Sequence, residues 1–273
     1  MLDHLAQSFL RIGETLVEVA TGDPVLGELA TTTFEAFAAP PGRADLRVEL
    51  TWDGGNIPAG PSRPRAAPMR VGYQLEWTGA AGTLADREAR LSIPREAQSI
   101  DTALRLALIV HLLPRGGLML HGMAARRHGA AFVGIGVSTA GKSTLCKLVR
   151  EHATDADLFT DEAVPVRLEP DGVRAYGSPW WGELGPGGRP GDAPLARLAL
   201  LEKSDAPQLV PVTDAHALSV LLRCAMVFQD GAEAARQALN IGAELVRRCR
   251  PVAFRFPKDE RAATLFAQAL RAA

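Results

Sequence analysis

The stretch Ala131-Phe132-Val133-Gly134-Ile135-Gly136-Val137-Ser138-Thr139-Ala140-Gly141-Lys142-Ser143 decides how this chain is read. Its apolar opening predicts a strand, and Gly136 to Ser143 then meets the pattern G-x-x-x-x-G-K-[ST] at every fixed position. Thr144 to Arg150 reads as helical, which completes the strand-loop-helix arrangement that such a loop needs. Loops of this kind fold around a polyanion: backbone N–H groups point inward, and the following helix presents its positive end. Glycines at both ends allow the close approach. Lys142 supplies a point charge for the β and γ phosphates, and the Ser143 hydroxyl is placed to hold a magnesium ion. A nucleoside triphosphate site is the expectation.

Upstream, Leu118-Met119-Leu120-His121-Gly122-Met123-Ala124 is followed by Arg126-Arg127-His128-Gly129, which predicts a β-hairpin whose second strand feeds the loop. A turn centred between Arg127 and His128 would set His121 opposite Gly134, two residues before the loop. That pairing suits a histidine near bound phosphates, and it suits a buried strand histidine satisfied by backbone equally well.

Downstream, Asp157-Leu158-Phe159-Thr160 is strand-like and ends in the adjacent carboxylates Asp161 and Glu162. The spacing from Lys142 leaves room for one helix and a connection, so the acids can emerge beside the loop at the C-terminal end of a strand, where α/β ligand sites lie. Paired acids suit phosphoryl transfer to a hydroxyl: one orients or deprotonates the acceptor, the other ligates magnesium directly or through water. An isolated Asp-Glu pair is more often a solvated loop face, and it is the position after this helix that favours function.

Composition bounds the surroundings. The 273 residues are 47% hydrophobic, enough for one large or two modest domains. Thirty basic and 31 acidic residues give a net charge of −1, so no global basic field favours nucleic acid. Only Lys142, Lys147, Lys203 and Lys258 are lysines among the basic residues. Cys146, Cys224 and Cys249 lack zinc-like spacing and are odd in number, which predicts reduced core thiols. The start Met1-Leu2-Asp3-His4 lacks a basic segment leading into an apolar one, and no apolar run is long enough to span a bilayer. A soluble cytoplasmic protein with no membrane or nucleic-acid partner is expected.

Residues 1–98 read as a β-rich region, with strands at Glu14 to Ala20, Asp45 to Trp52, Met69 to Trp77 and Ala89 to Ile93. The Pro-rich run from Ile57 to Pro68 reads as a surface excursion, since strands resume after it. Residues 99–273 read as the phosphate-loop domain, introduced by a helix capped by Ser99 or Asp101 and stopped at Pro114-Arg115-Gly116-Gly117. Beyond the acids, Leu195 to Leu201 is strand-like, Thr213 or Asp214 caps a helix through Phe228, Ala232 to Arg248 is helical, Pro251 to Phe256 is a strand, and Asp259 to Leu270 is a terminal helix. Arg189, Lys203 and Arg223 are expected to be solvated.

In their order, His121-Gly122, the hairpin, Gly136 to Ser143 and then Asp161-Glu162 resemble the core of the HPr kinase/phosphorylase family, whose fold is related to phosphoenolpyruvate carboxykinase. Gly177-Ser178-Pro179-Trp180-Trp181-Gly182-Glu183 is similar to a G-[ST]-P-W-x-G-E motif of HPr-kinase-like proteins outside the phosphotransfer regulators. The resemblance is firm over residues 117–185, loose over the rest of the C-terminal half and absent from the N-terminal half. It implies an α/β catalytic domain that uses ATP and Mg2+. Phosphates would be held by Gly136, Val137, Ser138, Thr139, Ala140, Gly141, Lys142, Ser143 and Thr144. His121 and Lys142 would act in the active site with Asp161 as base, and Ser143 and Glu162 would serve the metal. Glu183 would lie near the site or hold a loop, while Trp180 and Trp181 would pack. Where the family has Asp-Asp, this chain has Asp161-Glu162, and the regulators' downstream sequence for binding HPr has no counterpart here. The implied acceptor is a protein or peptide Ser/Thr, as in peptide-maturation kinases; a small-molecule acceptor, or a regulatory protein that holds ATP without transfer, stays open. Self-association, common in the family, is open too.

Overall fold

In the computed structural model the described residues are 5–52, 54, 63–77, 80–137, 139–183, 185 and 188–271. Residues 57–62 of the Pro-rich run and Ser138 of the loop lie outside them. The described residues form a mixed α/β fold with two sheets and six α-helices, none of the helices long and apolar enough to cross a membrane. Two compact units divide the chain: Met1–Arg115 with Val227–Gln237, and Gly116–Met226 with Ala238–Ala273. The boundary expected between 98 and 99 therefore lies at Arg115/Gly116.

The first unit comprises β1 (Ala6–Ile12), β2 (Thr15–Thr21), α1 (Pro24–Thr33), β3 (Leu46–Thr51), β4 (Arg65–Pro68), β5 (Tyr73–Trp77), β6 (Ala80–Leu84), β7 (Glu88–Ser92) and α2 (Ala97–Leu112). Its strands form one sheet in the order β1-β2-β3-β7-β6-β5-β4, parallel only at β2–β3 and β3–β7. In β3, Leu46, Val48 and Leu50 are buried while Arg47 and Glu49 between them are only partly so, the alternation of a sheet with one face on a core. Helix α1 was not foreseen, because Gly27 and Thr31, Thr32 and Thr33 are poor helix formers. It is started by Asp23, whose carboxylate accepts from the N–H groups of Val25 and Leu26 at 3.0 and 3.1 Å, with Pro24 fitting the first turn. Helix α2 begins after Glu96 with no side-chain cap, so Ser99 and Asp101 are interior residues rather than its start. It belongs to this unit and packs on α1, β3, β6 and β7, which corrects its expected place as the opening of the phosphate-loop domain.

The second unit comprises β8 (Gly117–Arg127), β9 (Ala130–Ile135), α3 (Lys142–His152), β10 (Ala156–Thr160), β11 (Ala163–Glu169), β12 (Gly172–Tyr176), β13 (Asp192–Lys203), β14 (Gln208–Pro211), α4 (Asp214–Cys224), β15 (Val252–Phe256) and α6 (Arg261–Arg271), with most of α5 (Ala232–Cys249). Helix α4 stops at Cys224 rather than Phe228 because Ala225 is extended and bridges Leu120. Its start is the expected one, with the Thr213 hydroxyl accepting from His216 N–H at 3.3 Å. Helix α6 begins at Arg261, Asp259 standing outside it and accepting from Arg261 N–H at 3.0 Å.

β8 and β9 form the expected hairpin in a different register. The turn is His128-Gly129, with φ of +51° and +78°, the left-handed pair that a two-residue hairpin turn requires. Pairing therefore matches Arg127 with Ala130 and Met123 with Gly134, so Gly134 does not face His121. The last pair of the ladder, Gly122 with Ile135, leaves His121 one residue beyond the end of β9 and opposite Ala163 of β11.

β9 continues into parallel pairing with β13, and β13 into parallel pairing with β15. Of these three strands, β13 and β15 end side by side at Lys203 and Phe256, three residues beyond Leu200, which pairs with Ile135 at the end of β9. Helices α3 and α6 cover their inner face, where Phe132 meets Phe254 and Phe266 edge-on at centroid distances of 5.2 and 5.3 Å, each contact adding about 0.5–1.5 kcal/mol beyond burial.

Candidate active site

The phosphate loop leaves β9 at Gly136 and enters α3 at Lys142. Gly141 has φ of +103°, and a Cβ there would stand 2.8 Å from the Phe256 ring. A Cβ on Gly136 would stand 2.5 Å from that of Ala140. Gly141 thus answers to backbone freedom as well as to space, and Gly136 to space. Lys142 is buried and folds back over the loop, its Nζ donating to Gly136 O at 3.0 Å and Val137 O at 3.4 Å. Burial lowers the pKa of its ammonium, against the raising influence of Cys224 and Glu183. Cys224, at the end of α4, backs the loop: burial raises its thiol pKa, while Gly136 N–H and Lys142 favour the thiolate. Cys146 and Cys224 are buried and all three cysteines are free thiols, as expected of core cysteines.

Asp161 and Glu162 sit where β10 gives way to β11. Both strands pair with β8, β10 along Ala124–Arg127 and β11 along Gly117–His121, so the acids occupy the break between two ladders on one strand. Gly122 N–H donates to Glu162 O at 3.0 Å and His121 Nδ1 lies 3.1 Å from the same carbonyl. A carbonyl only accepts, so Nδ1 carries a hydrogen. A Cβ on Gly122 would come within 2.8 Å of Gly134 O, so the glycine of His121-Gly122 lets β8 pass close to β9.

The Thr160 hydroxyl fixes this break. It donates to Trp180 O and accepts from the N–H groups of Glu162 and Ala163 at 3.1 and 3.3 Å. Asp161 is 3% exposed, and its Oδ1 accepts from Gly182 N–H at 2.7 Å. Ser178 donates to Ala163 O at 2.5 Å, and Trp180 is fully buried while Trp181 packs on the α3/α6 core. The Gly177-to-Glu183 segment is thereby stitched along the acid pair, and its tryptophans pack as expected.

These elements enclose a cleft of about 550 Å³ lined by His121, Thr139, Gly141, Lys142, Ser143, Thr144, Asp161, Glu162, Gly182, Glu183 and Lys203. It brings together the histidine, the loop lysine and serine, and both acids from three separate stretches of chain. Gly136, Val137 and Ala140 of the loop are not among its lining residues, and Thr139, which is, takes φ of +73°. Lys203 is exposed as expected and lines the open side of the cleft; Arg223 is exposed too, and Arg189 pairs with Asp157 at 3.4 Å. The anchoring roles of Thr160 and Gly182 were not foreseen, although both stand in stretches whose neighbours drew attention.

No protein-family model and no curated protein matches the chain. The cleft is therefore described by its own side chains: a lysine at a helix N-terminus, the Ser143 hydroxyl and Glu162 carboxylate, and a buried carboxylate at Asp161.

Proposed function

We propose that the protein is a kinase of HPr-kinase-like fold that transfers the γ-phosphoryl group of ATP to a hydroxyl, the acceptor being a Ser or Thr of a protein or peptide. The observation that carries the reading is the placement of buried Asp161 in the same cleft as Lys142 and Ser143 of the phosphate loop. A loop alone binds a nucleotide; a positioned carboxylate beside it supplies what transfer also needs.

The donor set fits magnesium, which prefers oxygen ligands and takes few of them from protein, completing its shell with water and phosphate. Ser143 and Glu162 are the residues that would hold it, and when bound it neutralises charge on the transferring group. The loop N–H groups and Lys142 bind and orient the triphosphate. Asp161 Oδ1 is held by Gly182, so the carboxylate is fixed to receive the hydroxyl proton as the acceptor oxygen bonds to the γ-phosphorus and the bond to the β-phosphate oxygen breaks. His121, with Nδ1–H committed to Glu162 O, holds a set ring orientation beside the acids.

The test is transfer of labelled γ-phosphate from Mg·ATP into the proteins and small molecules of a cell extract by wild type and Asp161→Asn. A labelled protein or peptide seen only with wild type supports the reading. A labelled small molecule would replace the acceptor class. Tight Mg·ATP binding without any labelling would leave a regulatory nucleotide-binding protein in its place.

A further inference from the structure

A second cleft of about 510 Å³ is lined by Lys203, Ser204, Asp205, Phe256, Pro257, Lys258, Asp259 and Arg261. It meets the phosphate cleft at Lys203, which lines both. Phe256 forms part of its wall and stands against Gly141, the last glycine of the loop. Resting on the kinase reading, we infer that this second cleft is the nucleoside subsite, taking the ribose and base of the nucleotide whose phosphates the loop holds.

Two observations point that way. The first is sidedness. In the sheet the order runs β10-β8-β9-β13-β15, so β9 and its loop have His121, Asp161 and Glu162 on the β8/β10 side and the second cleft on the β13/β15 side. The acids mark where the γ-phosphate and acceptor meet. A triphosphate laid along the loop with its γ end at Asp161 extends its α end away from the acids, toward the ends of β13 and β15.

The second is chemistry. Lys203 stands at the junction, where a phosphate-facing cation belongs. Beyond it the lining turns mixed, with exposed Asp205 beside Ser204 and Lys258. A carboxylate there repels a phosphate and accepts hydrogen bonds from ribose hydroxyls or base N–H groups. Pro257 and the Lys258 stem offer apolar surface for a base. The loop carrying Asp205 is held in shape by Ser204 N–H donating to Phe256 O at 3.0 Å and by the Arg261 guanidinium donating to Asp205 O at 3.2 Å, so the backbone that sets Asp205 in the cleft lining is fixed.

Titration calorimetry of the full chain with Mg·ATP and, separately, with magnesium tripolyphosphate tests the inference, because tripolyphosphate reports the loop alone. In wild type both should bind, ATP the more tightly. Asp205→Ala should weaken ATP about tenfold, the loss of one hydrogen bond to a charged group, and leave tripolyphosphate unchanged. Lys258→Ala, at a second lining residue, should show the same selective loss. Unchanged ATP affinity in both variants overturns the subsite, as does equal wild-type affinity for the two ligands. Wild type that binds neither ligand overturns the kinase reading, and the subsite with it.

Discussion

Asp161 Oδ1 accepts a hydrogen bond from Gly182 N–H at 2.7 Å, which ties the acid after β10 to a segment 21 residues further along the chain. The contact is close enough to crowd a side chain at Gly182: a Cβ would lie 3.3 Å from Asp161 Oδ2 and 3.6 Å from both Cγ and Oδ1. Gly182→Ala should therefore push the carboxylate by a few tenths of an ångström. We expect kcat to fall roughly tenfold with Mg·ATP affinity unchanged, since small misplacements of a reacting group are costly. Comparing kcat with a separately measured Kd decides it, and an unaltered kcat would detach Gly182 from catalysis.

Thr160→Val keeps the shape of the side chain and strands three polar groups, Trp180 O and the N–H groups of Glu162 and Ala163. The expected loss is about 2–3 kcal/mol of unfolding free energy, read from denaturant midpoints, together with a drop in transfer. Thr160→Ser should restore most of both. A valine variant as stable and active as wild type would show that the break between β10 and β11 holds without the hydroxyl.

In the loop, Gly136→Ala places a methyl 2.5 Å from the Ala140 Cβ, so the loop must open to admit it. Affinity for Mg·ATP and for magnesium tripolyphosphate should fall together by at least about tenfold. Lys142→Ala should do likewise by removing the charge. Tripolyphosphate binding that survives both changes would take the phosphate site away from this loop.

His111, on α2 in the first unit, is 1% exposed with Nδ1 2.7 Å from Asp86 O. Burial lowers its pKa below the ordinary 6.5, and the neighbouring Arg115 lowers it further, against the opposing pull of Asp86. Between the folded and unfolded pKa values the unfolded chain binds more protons, so stability is complete above about pH 6.5 and declines as the pH drops below it. Denaturant unfolding at pH ~7.5 and ~5.5 should show that decline in wild type and a smaller one in His111→Gln. Equal slopes in the two proteins would assign the acid sensitivity elsewhere.

Much of the second unit was legible because its local signals agree. Strand, glycine loop and helix follow one another in Ala131 to Arg150, and β9 and α3 form there. Thr213 announces α4, and the amphipathic run before Cys249 announces α5. Register was less legible: a shift of the turn to His128-Gly129 moved the partner of every residue in the hairpin by two, since only the left-handed φ pair of the actual turn fixes the pairing. The unit boundary was missed because α2 carries apolar residues on nearly every side and gives no sequence sign of which sheet it covers.

The sequence by itself determined the glycine-rich loop between β9 and α3, since its glycines, lysine and serine are close in the chain and the turn into the helix is a matter of local backbone geometry. It also placed an acid pair at the end of a strand. Only the tertiary structure decided that His121 lies beyond the end of β9, that Thr160 reaches Trp180 O and Gly182 holds Asp161, and that Lys203 joins two clefts. Those relations depend on which strands pair and in what register, and on hydrogen bonds between groups 20 or more residues apart, for which one sequence carries no local pattern.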